Sequence, residues 1–320
     1  MENLSLFPEE PRRTAEALAG RLRELAAAGV LFGTSSWKYE GWLGQIYRRQ
    51  RYEVRGRFSA RRFQETCLAE YAEIFPIVCA DFTFYQFPSP EACSRLFASA
   101  PATLLYAFKA PEEITAAWWP RHARYGDRGG GRNENFLNAE LLKEAFLRPL
   151  WPHRRQVAAI IFEFGAFSPR SYQRVESFAS DLDGFLAGLP PHFRYSVEIR
   201  NPEFLAPPYL DCLRRHNAAH VFNAWAWMPE LGAQIAVPEA FTADFTVTRA
   251  LLKRGRDYEN AVSLFQPYDR IQEPNPPARE ALRAIARRAR ETAQPAYIFV
   301  NNRLEGNAPG TIEAVVAEEV

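Results

Sequence analysis

Six charged residues of the sequence end short apolar runs, and together they could bind an anion and transfer protons. Opposite charges in a partly desolvated pocket shift each other's pKa values, which makes acid and base roles available near neutral pH. We predict that the three acids are catalytic acid/base residues and that the three bases bind an anionic group of the ligand. The acids are Glu198, Glu163 and Asp81, and the bases are Lys109, Arg200 and Arg249.

The same six residues have a second interpretation, in which they serve the fold alone. Ion-pair networks can simply compensate buried charge, and Glu198 with Arg200 could form one such local pair. Several charges on one buried face are costly without a purpose, so the group as a whole favours a functional site. For any single residue the two interpretations stay open.

Aromatic and amide side chains follow the same runs and are predicted to complete the site. Flat rings beside charged groups suit a ligand with a ring or a sugar-like face. Loops that fold over such a site also need large apolar anchors, and we assign Trp42 and Trp227 to that packing role. The predicted ligand-binding residues of this kind are Trp37, Tyr85, Asn301 and Asn302.

Metal and nucleophile chemistry find little support in the sequence. None of the five histidines ends an apolar run, so no zinc cluster is predicted. Cys79 lies within an apolar run, which favours a small core residue over a nucleophile. There is no Gly-rich phosphate loop and no GxGxxG segment, and we predict neither a metal nor a cofactor.

Eight apolar runs that alternate with helical patterns must position these residues. This pattern predicts a TIM-like (β/α)8 barrel of parallel strands, in which the carboxyl ends of the strands meet at one face and hold the site. Alternate side chains of a strand share a face, so the polar residues that end the runs are expected to converge. The runs read VLFGTSSW, IVCADF, LLYAFK, AAIIFE, YSVEIR, HVFN, FTVTR and YIFVNN.

The domain organisation follows from the same pattern. We divide the chain into an N-terminal extension with an extra helix, residues 1–29, and a single barrel domain, residues 30–320. The segment 228–241 is broken by Pro and Gly, so the sixth barrel helix is expected to be short or replaced. The other helices are predicted at 59–75, from Ser89, and at 136–150, 169–189, 202–216, 277–292 and 310–319.

An Arg/Gly-rich insertion near residues 118–133 interrupts the alternation. Its sequence, WWPRHARYGDRGGGRN, contains three consecutive glycines and four arginines, which predicts a long loop. Loops of this length are often lids or binding segments, and a disordered surface insertion without a role is an equal alternative.

The composition limits the partners and the location. Lys and Arg total 39 against 38 Asp and Glu, so a formal charge of +1 gives no overall attraction to nucleic acid or to an anionic membrane. The four cysteines show no close pairing and no apolar run approaches the length of a membrane span, which favours a cytoplasmic protein. We predict a small anionic ligand and no membrane contact; nucleic acid is disfavoured, and a protein partner stays open.

Six segments, taken in order, resemble the domain-of-unknown-function 72 family, also called YecE-like proteins. They are GTSSWKYEGWLGQIY, FTFYQFPSPE, FKAPEEIT, IIFEF, SVEIRNPEF and FVNN, and the resemblance extends from about Val30 to the C-terminus. It implies a TIM-like barrel but no reaction, because the family has no established activity. The residues that match the family pattern are Lys109, Glu198, Arg200, Arg249, Tyr85, Asn301 and Asn302.

The chain departs from the family pattern at several polar positions, so we identify it as a divergent member. The family pattern reads Glu-x-Asn where this chain has Cys79 and Asp81, and histidine where it has Ala116 and Asn201. Glu163 stands where the family pattern has glutamine. The anion-binding half of the site is therefore retained, while several proton-transfer positions are changed.

These observations lead to three hypotheses about function. The first is a metal-independent acid/base enzyme that acts on a small anionic ligand similar to a sugar or a nucleotide. The second is a non-catalytic barrel that binds a ligand or a partner protein through the same face. The third is a nucleic-acid-binding barrel, motivated by the arginines of the insertion. Whether the protein is an enzyme stays open.

Overall fold

Eight parallel strands form a closed barrel at the centre of the protein, in the ring order β1-β10-β9-β8-β7-β6-β5-β4. The computed structural model describes residues 10–318 and 320. Two short strands, β2 and β3, form a separate antiparallel hairpin. The strands are β1 Val30–Thr34, β2 Glu53–Val54, β3 Arg57–Phe58, β4 Ile77–Ala80, β5 Leu105–Lys109, β6 Val157–Glu163, β7 Tyr195–Glu198, β8 Ala219–Ala224, β9 Thr246–Ala250 and β10 Ala296–Val300.

Helices surround the barrel, and one of them precedes the first strand. A π-helical segment, Lys143–Leu147, joins α5 to α6. The fold is therefore the predicted TIM-like barrel with an extra N-terminal helix. The helices are α1 Glu10–Ala27, α2 Ala60–Tyr71, α3 Pro90–Ala98, α4 Glu112–Thr115, α5 Ala139–Leu142, α6 Arg148–Leu150, α7 Val175–Ala187, α8 Pro207–Arg215, α9 Leu231–Ile235, α10 Tyr258–Phe265, α11 Pro276–Thr292 and α12 Ala308–Val316.

The barrel interior is filled by small and medium side chains on alternate strand positions. Ala107, Ala159 and Ala219 pack there with larger apolar residues of neighbouring strands. Gly33 lies where β1 meets β4, and a Cβ at this position would lie 2.0 Å from the backbone oxygen of Ile77. Because only glycine permits this approach, the residue is required for closure of the ring.

The predicted helices are largely confirmed, and two of them differ most from their predicted extent. Helix α2 begins after Ser59, whose hydroxyl accepts a hydrogen bond from the Arg62 amide at 3.3 Å, as an N-cap does. The helix predicted at 169–189 begins only at Val175. The helix predicted at 202–216 is instead a short turn, Pro202–Phe204, followed by α8, because Pro207 opens a new helix. The sixth barrel helix, α9, is short, as expected.

The insertion at residues 118–133 is folded, so the alternative of a disordered segment is wrong. Its two ends pair, with the Trp119 amide donating to the Gly131 oxygen at 3.0 Å. Tyr125 is buried and donates to Glu112 at 2.6 Å, while Arg124 forms an ion pair with the same carboxylate at 3.0 Å. These contacts attach the loop to α4.

Two further predictions concern the termini and membranes. Residues 1–9 of the predicted N-terminal extension lie outside the described residues, and the division at residues 29 and 30 stays a prediction. Within the described part of the chain, no helix is both long enough and apolar enough to cross a lipid bilayer.

Candidate functional site

The barrel fold brings the six predicted charged residues together at the carboxyl ends of the strands, a region that we call the barrel mouth. Lys109, Glu163 and Glu198 are the last residues of β5, β6 and β7, and Glu163 is in register with Glu198. Arg249 is the fourth of the five residues of β9. Asp81 follows β4, and Arg200 lies two residues after β7. We refer to these six side chains as the mouth network.

Arg249 is the centre of the mouth network, and only 2% of it is exposed. Its Nη1 donates to Glu198 Oε2 at 2.5 Å and also to Glu163 Oε2. Its Nη2 donates to Asp81 Oδ1 at 3.1 Å. One guanidinium therefore connects all three acids, which lie at the carboxyl ends of three different strands.

The other two cations converge on the same carboxylates. Lys109 Nζ and Arg200 Nη2 lie 3.0 Å and 3.1 Å from Glu163 Oε2. Arg200 Nη2 also approaches Glu198 Oε1 to 2.5 Å, as an ion pair without the alignment of a hydrogen bond. Three acids and three bases make the network neutral as a whole, which is what stabilises so much buried charge.

The charges within this network fix the protonation of two of its members. Burial by itself would raise the pKa of Glu163, but Lys109, Arg200 and Arg249 outweigh burial and hold the pKa well below its ordinary value. Burial would lower the pKa of Arg249, but the neighbouring acids, Glu198 first, raise the pKa well above the ordinary value. Glu163 and Arg249 therefore stay charged at neutral pH, and Glu163 is suited to be a fixed charge rather than a proton donor.

Arg200 has hydrogen-bonding capacity that the protein does not use. Its Nε and Nη1 are buried and have no hydrogen-bond partner among the described residues. The guanidinium lies on the ring of Trp225, with 3.7 Å between Cζ and the ring centroid. Trp225 was not among the predicted ligand-binding residues, although its position two residues after the polar Asn223 at the end of the sixth run was a usable signal.

Asp81 is the most exposed acid of the mouth network. Its side chain is 30% exposed, against 16% for Glu163 and 0% for Glu198. It also lines a cleft of about 740 Å³ together with Trp37, Lys38, Phe82 and Arg95. Asp81 therefore connects the buried charges to a surface cleft of a size that could hold a small molecule.

Cys79 is a buried neighbour of this acid. Burial raises the pKa of its thiol well above the ordinary value, so the thiolate needed for nucleophilic attack is disfavoured. The thiol donates to Asp81 Oδ1 at 3.2 Å. The core role predicted for Cys79 agrees with this environment.

The predicted aromatic residues differ in their surroundings. Trp37 is 5% exposed and packs edge-on against Phe82, whereas Tyr85 is 60% exposed and has the Arg124 guanidinium over its ring at 4.5 Å. Trp42 is fully buried, as its predicted packing role requires. The packing role predicted for Trp227 is wrong, because this side chain is 73% exposed. Met228, the next residue, takes the buried position instead.

The two asparagines after β10 mainly form hydrogen bonds that position neighbouring segments. Asn302 Oδ1 accepts from Trp42 Nε1 at 3.2 Å and from the Ala308 amide at 2.8 Å, which fixes the start of α12. Asn301 Oδ1 accepts from the Arg303 amide at 3.0 Å. Ligand binding by Asn301 and Asn302 stays a prediction.

One group of possible metal ligands occurs among the described residues, on the outer helices. Asp183, Cys212 and His216 have ligand atoms within 4.8 Å of one another. Asp183 Oδ1 already accepts from Arg215 Nη2 at 2.8 Å and lies 2.9 Å from His216 Nε2. The arginine neutralises the carboxylate that a cation would need, so this group favours an ion-pair cluster.

Comparisons with known proteins identify relatives of this barrel. A family model described as "Protein of unknown function DUF72" matches residues 31–318. A DUF72 family protein from Thermotoga maritima MSB8 has a similar structure, with 18% identity and a TM-score of 0.59 over 89% of this chain and 97% of that chain. A DUF72 family protein from Enterococcus faecalis V583 shows 14% identity and a TM-score of 0.56 over 91% and 96%. Identities this low show a shared fold. Among curated proteins, none matches this chain.

Proposed function

The chain belongs to the DUF72 family, whose function is unknown, and from this premise we propose that it binds a small anionic molecule at the barrel mouth. The mouth network holds three cations in fixed positions. In TIM barrels the carboxyl ends of the strands are where active and binding sites are found. The position and the chemistry of the network both support a ligand site.

Arg200 is the residue whose environment carries this proposal. Its side chain is 6% exposed, and two of its three guanidinium nitrogens have no acceptor among the described residues. A buried donor without an acceptor costs about 1–3 kcal/mol. Carboxylate or phosphate oxygens would supply the missing acceptors, since the planar guanidinium matches both groups.

The cleft beside Asp81 supports a ligand that is larger than a simple anion. Trp37 and the 42% exposed Phe82 offer ring surface there, and the lining carries two cations, Lys38 and Arg95, beside the acids Glu65 and Asp81. A sugar-like or nucleotide-like body would place its ring in this cleft and its anionic group toward Arg200. This arrangement would use both features of the mouth.

Calorimetric titration of the purified protein tests the proposal with inorganic phosphate, a sugar phosphate and a nucleoside monophosphate. In the key variant, Arg200→Lys, the charge is kept but the planar donors are lost. We expect at least about tenfold weaker binding, which corresponds to one buried charge-assisted hydrogen bond.

A matched control is Arg23→Gln, which removes an exposed arginine from the outer helix α1. Its affinity should equal that of the wild type. The proposal is wrong if none of the three probes binds the wild type at millimolar concentration, or if Arg200→Lys binds them all as tightly as the wild type does.

A second candidate function is acid/base catalysis without a metal, and the position of Asp81 favours it. Asp81 reaches both the cleft and Arg249, so it could exchange a proton with a ligand that the cations hold. In this candidate Glu163 provides fixed charge, because its pKa is held well below the ordinary value by the three cations around it. Turnover of a bound probe that is lost in Asp81→Asn while binding is retained would establish it.

A further inference from the structure

A second group of cations lies at the opposite end of the barrel, at the amino ends of the strands. We call this end the barrel floor. A cleft of about 650 Å³ opens there. It is formed by segments that precede β6, β7, β8 and β9. The charged or titratable residues that line it are Arg154, Arg155, His192, Arg194, Tyr195, His216 and Asp244.

The three arginines that line this cleft have no acidic partner among the described residues. Within residues 10–318 and 320, no ion pair joins Arg154, Arg155 or Arg194 to a carboxylate at 4.0 Å or less. Arg215, next to the cleft, shows the contrast, since it pairs with Asp183 at 2.8 Å. Asp244 is the single acid among the described residues that line the cleft. The cleft therefore carries a net positive charge.

The backbone on both sides of the cleft is held by the barrel. The Arg194 oxygen accepts from the Ile160 amide at 2.8 Å, which ties it to β6. Across the cleft, the Asp244 amide donates to Asn217 Oδ1 at 2.9 Å. Arg154 Cζ lies 4.7 Å from the centroid of the exposed Trp151 ring. The arginines are thus attached to backbone that is hydrogen-bonded to the barrel, and the Trp151 ring lies at the edge of the cleft.

We propose that the cleft of the barrel floor binds a small molecule that bears phosphate groups. Arginine matches phosphate oxygens through planar donors, and three guanidinium groups without acidic partners can contact more than one phosphate. The volume lies in the range of small-ligand sites, which is smaller than a macromolecular partner requires. This site is separate from the barrel mouth and does not depend on the function proposed there.

Titration calorimetry with inorganic pyrophosphate tests this proposal on the full chain. The test variant is the double substitution Arg155→Gln with Arg194→Gln, and the control is Arg57→Gln, an exposed arginine of the β2–β3 hairpin. We expect the double variant to bind at least about tenfold more weakly and the control to bind as the wild type does. Because the floor arginines are exposed, affinity should also fall when salt is raised from about 50 mM to about 200 mM.

Arg200→Lys separates the two sites, since it alters the mouth and leaves the floor intact. Pyrophosphate binding that is lost in Arg200→Lys but kept in the floor double variant would overturn the floor proposal. Equal affinity of the double variant and the wild type would also overturn it. So would a single-stranded oligonucleotide that binds more tightly than pyrophosphate and loses that affinity in the double variant, because the floor would then be a nucleic-acid site.

Discussion

The mouth network and the cleft of the barrel floor each contain three cations, but the surroundings of these cations are opposite. At the mouth, Lys109, Arg200 and Arg249 are buried and are matched by three acids. At the floor, the arginines are exposed and the lining contributes only Asp244. The difference shows that burial, and not the number of charges, decides whether a cation in this fold needs a partner within the protein.

This contrast has consequences for how each end would recognise an anion. The mouth holds its charges at fixed positions and at low exposure, so its selectivity would come from geometry and from unused donors such as those of Arg200. The floor faces water, where salt screens its charges and where any compact polyanion of suitable size would be attracted. The mouth is thus suited to a specific ligand, and the floor to a broader class.

The largest effect is expected when the mouth loses its central cation. Arg249→Met leaves three acids with two bases, and breaking such a buried network costs about 3–5 kcal/mol. Urea unfolding followed by circular dichroism measures the loss. Arg215→Gln, which removes an exposed partner of Asp183, is the control and should change the unfolding free energy little. A small loss in Arg249→Met would mean that the buried charges do not depend on one another.

At the mouth, buried groups are charged because opposite charges surround them. A buried titratable group without an opposite charge should instead stay neutral, and His220 is such a group. Burial lowers the pKa of His220 from 6.5 to about 4, and its Nδ1 lies 3.0 Å from the Tyr209 hydroxyl. Between these values the unfolded chain binds the proton and the folded protein does not. Protonation of His220 therefore favours the unfolded chain. The free energy of unfolding is not reduced by this effect above pH 6.5, and it decreases as the pH falls toward 4, by at most about 1.4 kcal/mol per pH unit.

The measurement for His220 is the unfolding free energy of wild type and His220→Gln at a series of pH values. The wild type should lose more stability than the variant between pH 6.5 and pH 4. Parallel curves over this interval would show that the histidine is already protonated in the folded protein.

The smallest effect is expected at the floor. Arg155→Gln removes an exposed cation that forms no ion pair with any described acid. The free energy of unfolding should therefore change by no more than about 0.5 kcal/mol. Urea unfolding at low salt is the most sensitive test, because the mutual repulsion of the floor cations is then least screened. A loss of stability comparable to that of Arg249→Met would abolish the distinction between the two ends.

The sequence predicted the mouth better than the floor for a physical reason. Each mouth residue ends or follows an apolar run, and parallel strands bring such positions together. The floor arginines precede their strands, where polar residues are common and carry no signal. Their lack of acidic partners depends on distances between segments such as those of Arg154 and Asp244, which no local pattern contains.

Details of the mouth also lay beyond sequence patterns. The convergence of six charges followed from strand ends, but the contacts of Glu163 with three cations, and hence the direction of its pKa shift, depend on side-chain geometry. Trp225 and Trp227 follow the same strand at nearly the same distance, yet one lies on Arg200 and the other is exposed. Both belong to the turn that the Met228 amide closes on the Trp225 oxygen, and tertiary packing decides which ring of this turn faces inward.

The absence of a side chain at Gly33 affects more of the structure than the contact between β1 and β4. β1 and β4 share two register pairs, against five between β1 and β10, so this seam is as short as the pairing of β7 with β8. Cys79 and Asp81 are carried by β4 and the turn that follows it. A methyl group at residue 33 would push β4 outward and draw the Asp81 carboxylate away from Arg249. The distance between Asp81 and Arg249 at the barrel mouth thus depends on the lack of a Cβ atom at Gly33 in the barrel below them.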